Sequence, residues 1–223
     1  SGNFGYGGIA VGDVNNDGHK DVGYGIHHNY SATNWGDQLI EVVLGDGTGM
    51  SWELYDEGLA TAGETWGMFG TAFADFNNDG FLDLVSVAFG GGSGVQVYLN
   101  NQDGSWEHSY GFLGGNSGLI VRVGDINNDG YMDFVTNHSM GKVYFGDGTG
   151  GFTISDNGLP SGIAFSGMDI GRAKISGSYG ISYIQSGGVK VYFWNNNSQQ
   201  WENRSGNLPV SGPYQFSQLH DMN

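Results

Sequence analysis

Nine residues recur three times with oxygen-bearing side chains at fixed offsets. The first copy is Asp13-Val14-Asn15-Asn16-Asp17-Gly18-His19-Lys20-Asp21; the others run from Asp75 to Asp83 and from Asp125 to Asp133. The shared pattern is D-x-N-N-D-G-x-x-D. Alternate residues of a tight loop point to one side, so the oxygens at positions 1, 3, 5 and 9 can converge. Ca2+ requires such a donor set: about six to eight carboxylate or carbonyl oxygens, with a glycine at position 6 for the sharp turn. The candidate side-chain ligands are Asp13, Asn15, Asp17 and Asp21; Asp75, Asn77, Asp79 and Asp83; and Asp125, Asn127, Asp129 and Asp133. Position 7 (His19, Phe81, Tyr131) varies in chemistry, as expected of a residue that contributes only its backbone carbonyl. Carboxylates held this close repel one another without a cation. Aspartate, asparagine and glycine also build plain turns, but three copies at matched positions favour three Ca2+ sites.

The elements that position these loops read as strands. An EF-hand needs a bidentate Glu at position 12 and flanking helices. Position 12 here is Tyr24, Ser86 or Thr136, and the flanks are runs such as Gly8-Ile9-Ala10-Val11 and Leu82-Asp83-Leu84-Val85-Ser86-Val87. Each candidate cation therefore sits at the tip of a β-hairpin. Other features recur in phase. Alternating strands at 41–44, 95–99, 142–145 and 189–193 lead into turns such as Gly45-Asp46-Gly47-Thr48-Gly49, and each turn leads to an aromatic: Trp52, Trp106, Phe152 or Trp201. The unit is four short antiparallel strands, which matches a β-propeller blade. The aromatics read as wedges packed blade on blade.

This predicts an all-β chain of four blades at about 5–55, 66–110, 117–154 and 163–204, with 213–223 opening a fifth. The first and last strands of blade four are expected at 163–169 and 200–204, with Asp169 as first residue of a loop. After Asp169 no acid stands at positions 3, 5 or 9, and Arg172 and Lys174 appear instead. Blade four is expected to bind no Ca2+, a basic side chain partly replacing the ion's charge. The last residues, Asp221-Met222-Asn223, read as the opening of another loop, so a longer chain is expected.

The composition agrees. The chain has 223 residues, 43 of them Gly and 3 Pro; a hydrophobic share of 38% is too high for a disordered linker and an aromatic share of 14% suits strands. There is no cysteine, so cation sites would replace disulfides as staples. Net charge is −16, of which three Ca2+ would cancel six and leave −10. The remaining acidity disfavours nucleic acid and anionic membrane as partners, and no apolar run approaches the ~18 residues of a membrane span. No leader precedes Ser1, as in a mature or excised chain. Low-affinity calcium sites fill where calcium is plentiful, which points to a secreted or cell-surface location.

The loops, the Tyr-Phe-Gly-Asp-Gly-Thr-Gly-Gly-Phe run at 144–152, and Phe4-Gly5 and Phe69-Gly70 resemble FG-GAP/VCBS repeats, the blades of integrin-alpha-like propellers. The resemblance implies a ring, usually of seven blades, with calcium in several hairpin loops held by the residues named above.

Because strand direction alternates, the calcium loops share one face and the opposite face carries the other connections. The longest of these, 27–38, holds Tyr30 and Trp35, candidate anchors for a protein or glycan. No nucleophile elbow, phosphate loop or zinc-protease motif is present. His27-His28 has no third ligand in view, so no enzyme is expected within the chain. Sequons fall at Asn29, Asn137, Asn196 and Asn203, candidate glycosylation sites. Two readings follow: a non-catalytic extracellular recognition or adhesion module, or a self-assembling structural subunit of a surface filament or coat, or accessory propeller of a carbohydrate-active enzyme.

Overall fold

The computed structural model describes residues 4–26, 39–59, 68–88, 94–112, 118–161, 166–172, 179–185, 188–214 and 217–219. Among these residues there are sixteen strands and no helix. They form four sheets, each four strands in sequence order and antiparallel throughout. Sheet one holds β1 (Phe4–Gly12), β2 (Asp21–Ile26), β3 (Ile40–Gly45) and β4 (Trp52–Leu54). Sheet two holds β5 (Met68–Ala74), β6 (Asp83–Ala88), β7 (Val95–Asn100) and β8 (Trp106–Phe112). Sheet three holds β9 (Val121–Gly124), β10 (Asp133–Thr136), β11 (Val143–Gly146) and β12 (Phe152–Ile154). Sheet four holds β13 (Ser166–Arg172), β14 (Tyr179–Gln185), β15 (Gly188–Asn195) and β16 (Gln200–Asn203).

Successive sheets stack face to face, which explains why β6 and β10 are buried on both faces along their whole length. Their runs of β-branched and aromatic residues suit such a position. One apolar cluster joins sheets one and two through Ile40, Val42, Leu84, Tyr98 and Trp106. A second joins sheets two and three through Val85, Val97, Phe134 and Tyr144. A third joins sheets three and four through Val135, Val143, Ile181, Tyr192 and Trp201. Each fully buried side chain of this size contributes about 1.5–3 kcal/mol of transfer free energy. The first strands lie closest, β1 against β5 and β5 against β9. A Cβ at Gly25 would strike the Met68 carbonyl, so glycine there permits the close approach of sheets one and two. The arrangement is propeller-like; among the described residues the sheets do not close a ring.

The in-phase aromatics are wedges where a preceding sheet exists. Trp106 is 4% exposed and its Nε1 donates to Tyr55 O of sheet one at 2.8 Å. Trp201 is 3% exposed and donates to Ser155 O of sheet three at 2.9 Å. Phe152 packs against Phe76 and Phe134. Trp52, on the first sheet, is 40% exposed.

Sheet four corrects two expectations. Asp169 does not open a loop. It lies inside β13, paired with Ser182, and the strand runs three residues further to the Arg172–Tyr179 pair. The reason is packing: Met168 and Ile170 join the cluster with sheet three, so pairing continues past the aspartate. The cation that meets Asp169 is Arg122 of sheet three, its Nε donating to Oδ1 at 3.0 Å. Arg172 lies over the Tyr179 ring instead, and Lys174 falls outside the described residues. The strand expected from 213 onward falls largely outside the described residues; of it, Ser217 Oγ donates to Gly167 O and Leu219 N donates to Asp169 Oδ2, both of β13. No helix among the described residues is long and apolar enough to cross a membrane.

Candidate metal centres

All three acidic nonapeptides join the first and second strands of their sheets. The backbone takes the left-handed conformation at position 4 (Asn16 φ 58°, Asn78 φ 59°, Asn128 φ 59°) and again at position 6 (Gly18 φ 88°, Gly80 φ 88°, Gly130 φ 94°). Asparagine and glycine are the residues that tolerate it best. The second asparagine of each Asn-Asn pair therefore has a backbone role, one that sequence reasoning left unassigned.

The loop oxygens follow one hydrogen-bond plan. In loop one, the Asp13 carboxylate accepts from Asp17 N at 3.0 Å and Gly18 N at 2.9 Å. Asn15 Oδ1 accepts from Asp17 N at 3.1 Å, and Asp17 Oδ1 accepts from His19 N at 2.8 Å. Loops two and three repeat these bonds at Asp75, Asn77 and Asp79 and at Asp125, Asn127 and Asp129. In every copy the position-3 amide also donates to the position-5 carboxylate, at 2.9, 3.1 and 2.8 Å. These bonds hold the Asp17 carboxyl below its usual range, chiefly through the His19 N–H and next the Asn15 amide.

Position 9 closes each loop from beneath. Asp21, Asp83 and Asp133 are fully buried. Asp83 Oδ2 accepts from Phe76 N at 2.7 Å, and its Oδ1 accepts from Asn100 N at 2.9 Å. Asp21 bonds Val14 N and Gly45 N in the same way, and Asp133 bonds Ile126 N and Gly146 N. Burial pushes Asp83 and Asp133 up to about 7, and it raises Asp21 as well, against these N–H donors. Neighbouring carboxylates add to the rise: Asp79 and Asp75 on Asp83, Asp129 on Asp133, and Asp17 and Asp13 on Asp21. Like charges thus face one another in each loop, the situation a hard cation relieves.

The donor set fits Ca2+ chemically: three carboxylates, one amide oxygen and a position-7 carbonyl on a glycine-hinged loop. The side chains do not stand as a finished cage. Among the described residues no three acidic or histidine side chains form a group ready to hold a metal. The neighbouring carboxylates are close enough to add to the proton affinity of the position-9 aspartate, yet the side chains are spread toward backbone N–H groups and the asparagine amide rather than gathered on one point.

Two positions do more than the sequence indicated. Position 2 (Val14, Phe76, Ile126) is at most 1% exposed and belongs to the clusters between sheets. Its N–H holds the position-9 carboxylate while its side chain is wedged into the next sheet. The available signal was that this position is apolar in all three copies. Position 7 is not only a carbonyl: the His19 and Tyr131 rings occupy the space where a Cβ of Gly47 or Gly148 would stand. The glycine after the turn aspartate makes that contact possible.

The remaining candidates separate. Tyr30, Trp35, Asn29 and the His27-His28 pair lie outside the described residues. Asn137 is 4% exposed, and its Oδ1 accepts from Leu119 N and Ile120 N, both at 2.9 Å. Burial removes it from the glycan acceptors. Asn196 and Asn203 are exposed, and each already donates from Nδ2, to Asn127 O and Tyr192 Oη respectively.

Fold and loops together define a class: propeller-like all-β chains with an acidic hairpin tip repeated from sheet to sheet. Within it, residues 75–136, which contain loops two and three, match the FG-GAP-like repeat, and this supports the FG-GAP family. No curated protein matches the chain significantly by sequence. Among solved structures, an Agrocybe aegerita lectin, described as specifically recognising non-reducing terminal N-acetylglucosamine, aligns with a TM-score of 0.55 at 19% identity. That match covers 86% of this chain and 50% of the lectin. Saccharomyces cerevisiae Sqt1 aligns with a TM-score of 0.55 at 13% identity, covering 90% of this chain and 48% of that one. The chain thus spans about half the length of both structures. At these identities the likeness is one of fold.

Proposed function

We propose that the chain is a calcium-binding, non-catalytic recognition module of the extracellular space, built as part of a β-propeller. The observation that carries the reading is the threefold hydrogen-bond plan ending in a buried aspartate beside further carboxylates. Ca2+, when bound, supplies the positive charge that lets the position-9 carboxylate stay ionised while buried. The residues that hold it are Asp13, Asn15, Asp17, the His19 carbonyl and Asp21, with Asp75, Asn77, Asp79, the Phe81 carbonyl and Asp83, and Asp125, Asn127, Asp129, the Tyr131 carbonyl and Asp133, in the sister loops. Each loop then clamps its hairpin, and through position 2 it clamps the seam to the next sheet. A cysteine-free wheel of sheets gains its staples in this way.

A ring of more than four blades is supported by the outer face of sheet one. Val11 and Trp52, 62% and 40% exposed, occupy the places of Phe73 and Trp106, which pack on a preceding sheet. Seven blades is the number the family resemblance suggests. The anchors proposed for a protein or glycan are Tyr30 and Trp35, in the segment 27–38 that separates β2 from β3 in sequence. The fold shared with a glycan-binding lectin supports a glycan.

The test is a calcium titration followed by melting with and without chelator. A ligand held only by the folded form at a hundred times its dissociation constant adds about 2.7 kcal/mol per site. Three ions per chain and a large loss of melting temperature in chelator are expected; an unchanged melting curve refutes the calcium sites. For the recognition face, glycan-array binding should be abolished in the Tyr30→Ala/Trp35→Ala double variant while calcium binding stays intact. Binding that survives both truncations removes them as anchors.

A further inference from the structure

Asn100, the last residue of β7, is 2% exposed and bonds to two loops at once. Its backbone N donates to Asp83 Oδ1 of loop two at 2.9 Å. Its Nδ2 donates to Leu82 O of loop two at 3.2 Å and to Val14 O of loop one at 2.8 Å. Its Oδ1 accepts from Tyr55 Oη of sheet one at 3.1 Å and from Gln102 N at 2.9 Å. A second bridge runs nearby, from Asn16 Nδ2 of loop one to Gly80 O of loop two at 3.1 Å.

The sister sheets cannot repeat the arrangement. Glycine stands at the same place, Gly45 and Gly146, and supplies only the N–H to Asp21 and Asp133. A Cβ at either glycine would run into the carbonyl of Lys20 or Met132, the position-8 residue of its own loop. In sheet two that carbonyl, Leu82 O, is set back far enough to accept from the asparagine amide instead. Between sheets two and three the corresponding link needs no side chain and does not reach loop three: Gly150 N, in the turn between β11 and β12, donates to Phe76 O of loop two at 3.2 Å.

The geometry points to Asn100 as a positioning residue that couples the first two metal loops into one binding unit. Val14 carries the link: its N–H holds Asp21 and its carbonyl is held by Asn100. Drawing Asp21 or Asp83 toward an ion shifts a backbone group bonded to Asn100, and the same side chain passes the constraint to the other loop. Buried hydrogen bonds that share one amide reinforce each other in this way. The third loop lies outside the unit. This rests on the calcium reading of the loops.

The experiment compares the full chain with Asn100→Gly, which installs the sister residue and keeps the backbone N–H, and with Asn16→Gly, which removes the exposed bridge. Isothermal titration with CaCl2 should show two cooperative ions and one independent ion in the parent. Asn100→Gly should keep three ions but lose the cooperativity, with the affinity of the paired ions falling about tenfold, a coupling of ordinary size. Asn16→Gly should show a smaller loss. In chelator, amide exchange at Asp17 and Gly18 should quicken in Asn100→Gly, although the substitution lies in the other sheet. Unchanged isotherm shape with three ions bound, or faster exchange confined to β7 and β8, overturns the coupling while leaving the calcium reading in place. Absence of calcium binding in every protein ends both.

Discussion

Loop two contains two phenylalanines in different circumstances, and truncating each in turn separates the roles of positions 2 and 7. Phe76 is 1% exposed, and its ring meets Phe134 and Phe152 of sheet three edge-on at 6.2 and 5.2 Å. Its N–H holds Asp83 and its carbonyl accepts from Gly150 N. Phe76→Ala empties a packed site and should cost about 3–5 kcal/mol. For a chain of this length each kcal/mol lowers the melting temperature by about 2–4 °C, so the expected fall is roughly 6–20 °C. Phe81 is half-buried beside the open loop. Phe81→Ala keeps the backbone carbonyl and should cost about 1 kcal/mol, an ordinary point-substitution value. The assay is thermal unfolding by near-ultraviolet circular dichroism in chelator, so that calcium does not confuse the comparison, followed by calcium titration. Calcium affinity should be unchanged in Phe81→Ala and reduced in Phe76→Ala, whose slackened seam no longer fixes the Asp83 donor. Equal destabilisation by the two substitutions, or a cost below about 1 kcal/mol for Phe76→Ala, refutes the wedge argument.

The buried aspartates give a pH test. Asp83 and Asp133 are pushed to about 7 in the folded chain, against about 3.9 when unfolded. The folded state therefore binds more protons between those values, and stability in chelator is lost as pH rises from about 4 to about 7. The chelated protein should melt higher at pH 5.5 than at pH 8, and the calcium-loaded protein should show the reverse order; a chelated protein that melts higher at pH 8 contradicts the burial argument. The two tryptophans at one register give a second test, read by urea denaturation. Trp106→Ala should cost about 3–5 kcal/mol and strand the Tyr55 carbonyl, whereas Trp52→Ala, already 40% exposed, should cost less than half of that. Equal costs would mean that Trp106 is no seam residue.

The loops were legible because their constraint is local. Oxygens at offsets 1, 3, 5 and 9 and a glycine at 6 must lie within nine residues, whatever the rest of the chain does. The hairpins around them were legible for the same reason, since β9 and β10 pair residue for residue directly on either side of their loop, Gly124 with Asp133 and Val123 with Phe134. What the sequence withheld depends on residues far apart. Val14 meets Asn100 across 86 positions, and nothing in a D-x-N-N-D-G string says that its second position is a wedge. Asn137 reads as an acceptor because a sequon is a three-residue pattern; its burial, and the bonds that its Oδ1 accepts from Leu119 N and Ile120 N, belong to contacts 17 and 18 positions away.

Asp169 shows where pattern and packing part. An aspartate after an apolar strand resembles the start of another loop, and counting residues from Asp125 supports that reading. Yet a loop starts where pairing stops, and pairing stops where the core no longer rewards it. Met168 and Ile170 flank the aspartate and both face the cluster with sheet three, so ending the strand at 169 would uncover Ile170. The strand continues instead, and the aspartate is left part-buried within a ladder. A lone carboxylate there needs a counter-charge, and the nearest is Arg122 on the adjoining sheet. On the calcium reading proposed above, the tips of sheets one to three take a mobile cation for that service, whereas at Asp169 a side chain fixed in the fold supplies it. An acidic residue in such a chain is thus to be assigned to metal or to ion pair by where its strand ends, a property of the seam rather than of the motif.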